Sequence, residues 1–183
     1  MARFVIMTVG MTHSGKTTFA RRLEEKVKNT VVIDQDNQAA FLNSQYPRLV
    51  PEDGPNTIKY QMTKMLVDYA VEKTEMHLII CNSNRNHKAR KALLEDFKSK
   101  GFSTILVNFD VSDSLLEKRV AERNRDPSVL RTASSFDEVL QRQQENSPNI
   151  VAPSAEEADH FFTIEREGED NHVLVEVAGL LSS

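Results

Sequence analysis

Apolar and polar positions fall into alternating blocks along this chain. Short runs that are apolar almost without interruption are separated by longer stretches whose apolar residues recur three and four apart. Uninterrupted β-branched and aliphatic runs predict strands buried on both faces; the wider spacing predicts amphipathic helices. The first strand is expected over Arg3 to Val9, the second over Thr30 to Ile33, and the third over His77 to Asn82. A fourth is expected over Ser103 to Phe109 and a fifth over His160 to Ile164.

Helices are predicted between them. Phe19, Leu23 and Val27 place one over Gly15 to Lys28, supported by the Glu24–Lys28 pair. Ile58, Met62, Met65, Leu66 and Tyr69 place another from Asn56-Thr57 to Lys73 and are expected to face the core. A third runs from His87 to Lys100 and stops at Gly101. Ser112 is positioned to cap a helix over Asp113 to Arg123, and the Ser135-x-x-Glu138 capping box starts one that runs to Glu145. The Val173 to Leu181 stretch suits either a helix or an edge strand, after a polar loop from Glu165 to Asn171. Asn37 to Pro55 is irregular, with one helical turn at Ala39 to Leu42.

Strands alternating with helices predict a parallel α/β sheet in a single domain over residues 1–183. In such sheets ligands bind beyond the carboxyl ends of the strands.

Composition narrows the partners. A net charge of −4 argues against a broad basic surface for duplex nucleic acid. The single cysteine, Cys81, lies in an apolar run and reads as a buried structural thiol in a reducing, cytoplasmic setting. No apolar run approaches the ~20 residues that cross a bilayer. Met1-Ala2-Arg3-Phe4 leads straight into the first strand, leaving no room for a signal peptide.

The chemistry is concentrated in Gly10-Met11-Thr12-His13-Ser14-Gly15-Lys16-Thr17-Thr18. This matches G-x-x-x-x-G-K-[ST], and it sits between a predicted strand and a predicted helix, the context the motif requires. Successive backbone N–H groups and the positive end of a helix form an anion site for phosphates. Gly10 lets the chain leave its strand sharply, and Gly15 lets the backbone approach a phosphate. Lys16 supplies charge to the β- and γ-phosphates, and the Thr17 hydroxyl is placed for Mg²⁺. These loop residues are the expected ATP-binding set.

Phosphoryl transfer also needs a group for the attacking hydroxyl, a metal site and positive charge. Asp36, just past the second strand, is the candidate base. Were the chain to stay extended there, Asp34 and Asp36 would share one side. Asp34, Asn82 and Asp110 all follow apolar strands and compete as the second metal partner; Asp34 joins Thr17 as the candidate pair. Arg119, Arg123, Arg125 and Arg131 cluster around a Pro127-containing break that reads as an arginine-rich lid over about 123–147. Arg119 and Arg123 share a helix face. The acceptor side falls to Asn37 through Tyr60 and the Asn82 to Arg85 turn.

Gly10…Gly15-Lys16-Thr17-Thr18, Val32-Ile33-Asp34-Gln35-Asp36, Ile79-Ile80-Cys81-Asn82-Ser83-Asn84 and Leu116 to Asn124 together resemble the small P-loop kinases related to polynucleotide 5′-hydroxyl kinase domains and zeta toxins. The resemblance covers nearly the whole chain. It implies a P-loop NTPase three-layer sandwich whose five-stranded sheet is ordered 2-3-1-4-5. It implies Lys16 and Thr17 for phosphate and Mg²⁺, Asp36 as base, and Arg123 or Arg131, or both, as lid arginines near the adenine and phosphates. The chain departs from the pattern at His13, where the family often has glycine, and at Asn82, where it often has an acid. Polynucleotide kinases carry an arginine shortly after the base; here that place is Asn37-Gln38-Ala39-Ala40. That difference and the acidic charge favour a small-molecule acceptor. The alternatives are a polynucleotide 5′-hydroxyl kinase and an ATP-binding regulatory protein that turns over slowly or not at all.

Overall fold

The computed structural model describes residues 2–122, 129–130 and 133–182. Strands β1 (Arg3–Gly10), β2 (Thr30–Ile33), β3 (His77–Cys81), β4 (Phe102–Phe109) and β5 (His160–Ile164) pair in parallel. Their order is β2-β3-β1-β4-β5, as the resemblance implies. The helices between and after them are α1 (Lys16–Lys26), α2 (Gln35–Gln45), α3 (Thr57–Lys73), α4 (His87–Ser99), α5 (Asp113–Glu122), α6 (Phe136–Glu145) and α7 (Glu169–Leu181).

β1 is the central strand, and its side chains alternate between two faces. Ile6 packs with Phe19 and Leu23 of α1 and Val177 of α7. Val5 packs with Ala70 of α3 and Phe97 of α4. Helices therefore cover both faces, giving three layers, and each fully buried Leu or Phe contributes about 1.5–3 kcal/mol. A separate small cluster joins α5 to α6 through Leu116, Val120, Phe136 and Leu140.

Three elements differ from their sequence expectation. α2 is a full helix beginning directly after β2, because Asp34 caps it: its Oδ1 accepts from Asp36 N at 3.0 Å. Its buried positions are Gln38, Ala39 and Leu42, a face too polar and too short to register as periodic. α3 has its predicted bounds but the opposite face. Thr63, Val67, Ala70 and Val71 also recur three and four apart, and these turn inward. Met65 and Tyr69 are left 62% and 64% exposed. The small inward residues let the helix lie close to Ile33 and Ile80. α7 is a helix and starts at Glu169, after Gly168 takes φ 89°.

The turn after β3 is held from within. Arg90 on α4 is fully buried, and its Nε and Nη2 donate to the two carboxylate oxygens of Glu157 at 2.7 and 2.9 Å. Its Nη1 donates to the carbonyls of Asn84 and Arg85. Asn84 in turn donates to Thr8 O and Ile80 O, joining the ends of β1 and β3.

Candidate active site

β1 ends at the central position of the sheet, and the chain must reverse there to enter α1. Gly10 takes φ 150°, and a Cβ on it would sit 2.9 Å from both Phe109 O and Ser14 Oγ. Gly15 takes φ 110° and precedes α1 without any side-chain cap. The first N–H groups of α1 are therefore left for a ligand's oxygens. Lys16 Nζ lies back over the loop, donating to Met11 O and to Ser14 Oγ, the latter at 3.1 Å.

Thr17 and β2 meet across the sheet edge. Thr17 Oγ1 donates to Asp34 Oδ2 at 3.3 Å, and Asp34 is 3% exposed. Asp34 thus serves the loop with one oxygen and caps α2 with the other. Asp36 lies in the first turn of α2 and not in an extended segment, so the sequence expectation of one shared strand face is replaced by a helix-start arrangement. Both carboxylates still line the same cleft as the loop.

That cleft has a volume of about 740 Å³. Thr12, His13, Gly15, Lys16, Thr17 and Thr18 form one wall, and Asp34, Asp36 and Asn82 another. Asn82 Oδ1 accepts from Gln35 N at 3.1 Å, so its oxygen is engaged with the start of α2. Asp110 is exposed and does not line the cleft. Of the three competing metal partners, only Asp34 presents a carboxylate beside Thr17. Among the described residues no cluster of three or more His, Cys, Asp or Glu forms a metal cage. Cys81 Sγ lies 3.7 Å from Thr17 Oγ1. Burial, with the Asp34 carboxylate adding to it, pushes this thiol up to about 11, so it stays protonated.

α6 covers the opposite side. Gln143 Oε1 accepts from Thr12 N at 2.7 Å. The His13 ring, at φ 58°, meets Phe136 edge-on with centroids 5.0 Å apart. Arg85, from the turn after β3, donates to Gln143 O at 3.0 Å and to Ser147 Oγ at 2.6 Å. On α6, Ser135 Oγ accepts from Glu138 N as the capping box predicts. The Glu138 carboxylate reaches Ser134 N instead of completing the box at Ser135.

Arg119 lies behind the loop. Its Nη1 donates to Ser14 O at 3.1 Å, and its Nη2 pairs with Glu167 at 3.2 Å. There it borders a small hollow of about 80 Å³, with Gly15, Thr18 and Arg166. Arg123, Arg125 and Arg131, the other lid arginines expected from sequence, lie outside the described residues.

A family model described as an AAA domain, AAA_33, matches residues 5–146. The chain belongs to the AAA_33 family. The fold of this AAA_33 member is that of small P-loop kinases. A sugar kinase from Janibacter sp. superposes with a TM-score of 0.63 at 16% identity, covering 100% of this chain and 95% of the other. A putative kinase from Chloroflexus aurantiacus gives 0.65 at 15%, covering 97% of each chain. A shikimate kinase from Bacteroides thetaiotaomicron gives 0.55 at 14%, covering 98% and 99%. No curated protein matches the chain. The family match spans Gly10 to Thr18, the loop that joins β1 to α1.

Gln143, Arg85, Lys59 and Tyr60 are cleft or lid contacts that sequence did not single out. Lys59 and Tyr60 fall at the end of the segment assigned to the acceptor side, and Arg85 closes the Asn82 to Arg85 turn assigned with it. Their only sequence signal is position: Lys59 and Tyr60 begin a helix whose apolar stripe starts just before them.

Proposed function

We propose that the chain is a cytoplasmic, Mg²⁺-dependent kinase that moves the γ-phosphoryl group of ATP to a hydroxyl of a small molecule. One observation carries this reading: the Asp36 carboxylate lines the same cleft as Lys16 and Thr17. Donor site and candidate base thus open onto one space.

Thr17 and the buried Asp34 carboxylate are hard oxygen donors side by side, which suits Mg²⁺ held also by waters and phosphates. Bound there, Mg²⁺ would supply charge neutralisation on the phosphate oxygens. The loop N–H groups and the N-terminus of α1 hold the phosphates. Lys16 exchanges its contacts to Met11 O and Ser14 Oγ for phosphate oxygens. Asp36 orients the acceptor hydroxyl and takes its proton as the hydroxyl oxygen bonds to the γ-phosphorus. The bond from that phosphorus to ADP breaks, and Lys16 draws charge from the leaving oxygen. Arg123 and Arg131 add positive charge from the lid. Arg119, beside the hollow behind the loop, serves the nucleoside end. α6, tied to the loop by Gln143, excludes water from the cleft.

A metabolite pool incubated with ATP and the protein, read by mass spectrometry, tests this. A phosphorylated product that requires the protein and disappears with Lys16→Ala is expected. Release of the γ-phosphate only as inorganic phosphate, or no turnover, would overturn it.

A further inference from the structure

A second cavity, of about 330 Å³, adjoins the cleft on its far side from the loop. The two share Lys59, Tyr60 and Gln143 among their lining residues, so a ligand beside Asp36 extends into this space. Among the described residues, the charged groups lining the second cavity are Lys59 and Arg142, with no Asp or Glu. Asp34 and Asp36 belong to the first cleft alone.

Each cation has a defined setting. Lys59 is half-buried in the first turn of α3, with its ammonium 5.0 Å from the centre of the Tyr60 ring. None of the ion pairs among the described residues involves it. Arg142 pairs with Glu138 on its own helix and is half-exposed, so its charge is partly offset. The 17-residue α3 begins beside this cavity, where Asn56 Oδ1 caps it by accepting from Lys59 N at 3.2 Å; like α1 and α4 it has no acid in its first turn. Tyr60, Leu130 and Val139 give the wall an apolar side, facing the polar Asn43, Asn56 and Gln143.

Resting on the kinase reading above, we infer that the acceptor is itself an anion. It carries a phosphate, sulfate or carboxylate that binds the Lys59 side chain, with Arg142 contributing. Its apolar or ring portion lies against Tyr60 and its reacting hydroxyl reaches Asp36. An anion bound in this cavity gains a charge-assisted hydrogen bond from the Lys59 ammonium, which no ion pair among the described residues engages.

Phenyl phosphate is a suitable probe because it has no hydroxyl to phosphorylate. It is titrated by calorimetry into protein saturated with Mg²⁺ and a non-hydrolysable ATP analogue, so the loop is already filled; phenol is the neutral match. Phenyl phosphate is expected to bind at least about tenfold more tightly than phenol. Lys59→Met should erase that preference, Lys59→Arg should keep it, and Arg142→Gln should reduce it. Equal or tighter binding of phenol, no saturable binding of phenyl phosphate, or an unchanged preference in Lys59→Met would overturn the inference. Transfer from ATP is then compared for glycerate with glycerol and gluconate with glucose. Transfer to neutral hydroxyls that Lys59→Met leaves unchanged removes the anionic acceptor and keeps the kinase. Lys59-dependent anion binding with no transfer to any hydroxyl does the reverse.

Discussion

The backbone N–H of Thr12 donates a 2.7 Å hydrogen bond to Oε1 of Gln143, a residue 131 positions further along the chain. The loop between β1 and α1 is thus held directly by the helix that covers it. Arg85 fastens the same helix turn from the other side of the cleft.

Removing the Gln143 contact should loosen α6 without unfolding the sheet. A typical hydrogen bond contributes about 0.5–1.5 kcal/mol. Gln143→Leu should therefore raise amide exchange in Phe136–Glu145 by about fivefold, with β1 and β4 unchanged, as read by mass spectrometry. Unaltered exchange in α6 would show that Thr12 does not anchor the lid.

Arg90 and Glu157 should control stability more than any surface pair. Burial alone would raise the Glu157 carboxyl, but the Arg90 hydrogen bonds and the Ser154 N–H outweigh it and hold the group below its usual range. Arg90→Met leaves Glu157 buried without its cation and should cost about 3–5 kcal/mol in urea unfolding. The exposed Lys64–Asp68 pair, replaced by Lys64→Ala, should change stability by less than about 1 kcal/mol.

His77 should make the protein sensitive to mild acid. Burial holds its imidazole below the ordinary value of 6.5, more than the Leu181 backbone contact raises it. Its Nδ1 accepts from Phe4 N at 3.1 Å, which requires that nitrogen unprotonated. The unfolded state then binds the proton more readily than the folded state. Stability from this group is present above about pH 6.5 and is lost as pH falls below it. Denaturant midpoints at pH 7.5 and 5.5 should differ in the wild type by more than in His77→Asn, conditions chosen to bracket that value.

Sequence carried different parts of the molecule to different depths. β1, β3 and β4 were legible because strands buried on both faces read as unbroken apolar runs. The Gly10 to Thr18 loop was legible because its glycines and Lys16 have few substitutes. α2 was not, since its inward face is Gln38, Ala39 and Leu42 and its cap, Asp34, also reads as the end of a strand. α3 carried two stripes of equal spacing, and only packing against Ile33 and Ile80 selects the smaller one. Gln143 acts through one long-range hydrogen bond and Arg85 through two, and such contacts leave no periodicity behind.

The central claim is that Asp36 activates an acceptor hydroxyl beside the nucleotide loop. A single-turnover reaction of γ-labelled ATP with the metabolite pool, run with wild-type protein and Asp36→Asn, tests it most directly. The predicted result is label on a small-molecule product with the wild type. With Asp36→Asn, transfer should fall by about 10²–10⁴-fold while ATP affinity stays the same. Transfer that survives in Asp36→Asn, or label found only as free phosphate with the wild type, would contradict the account.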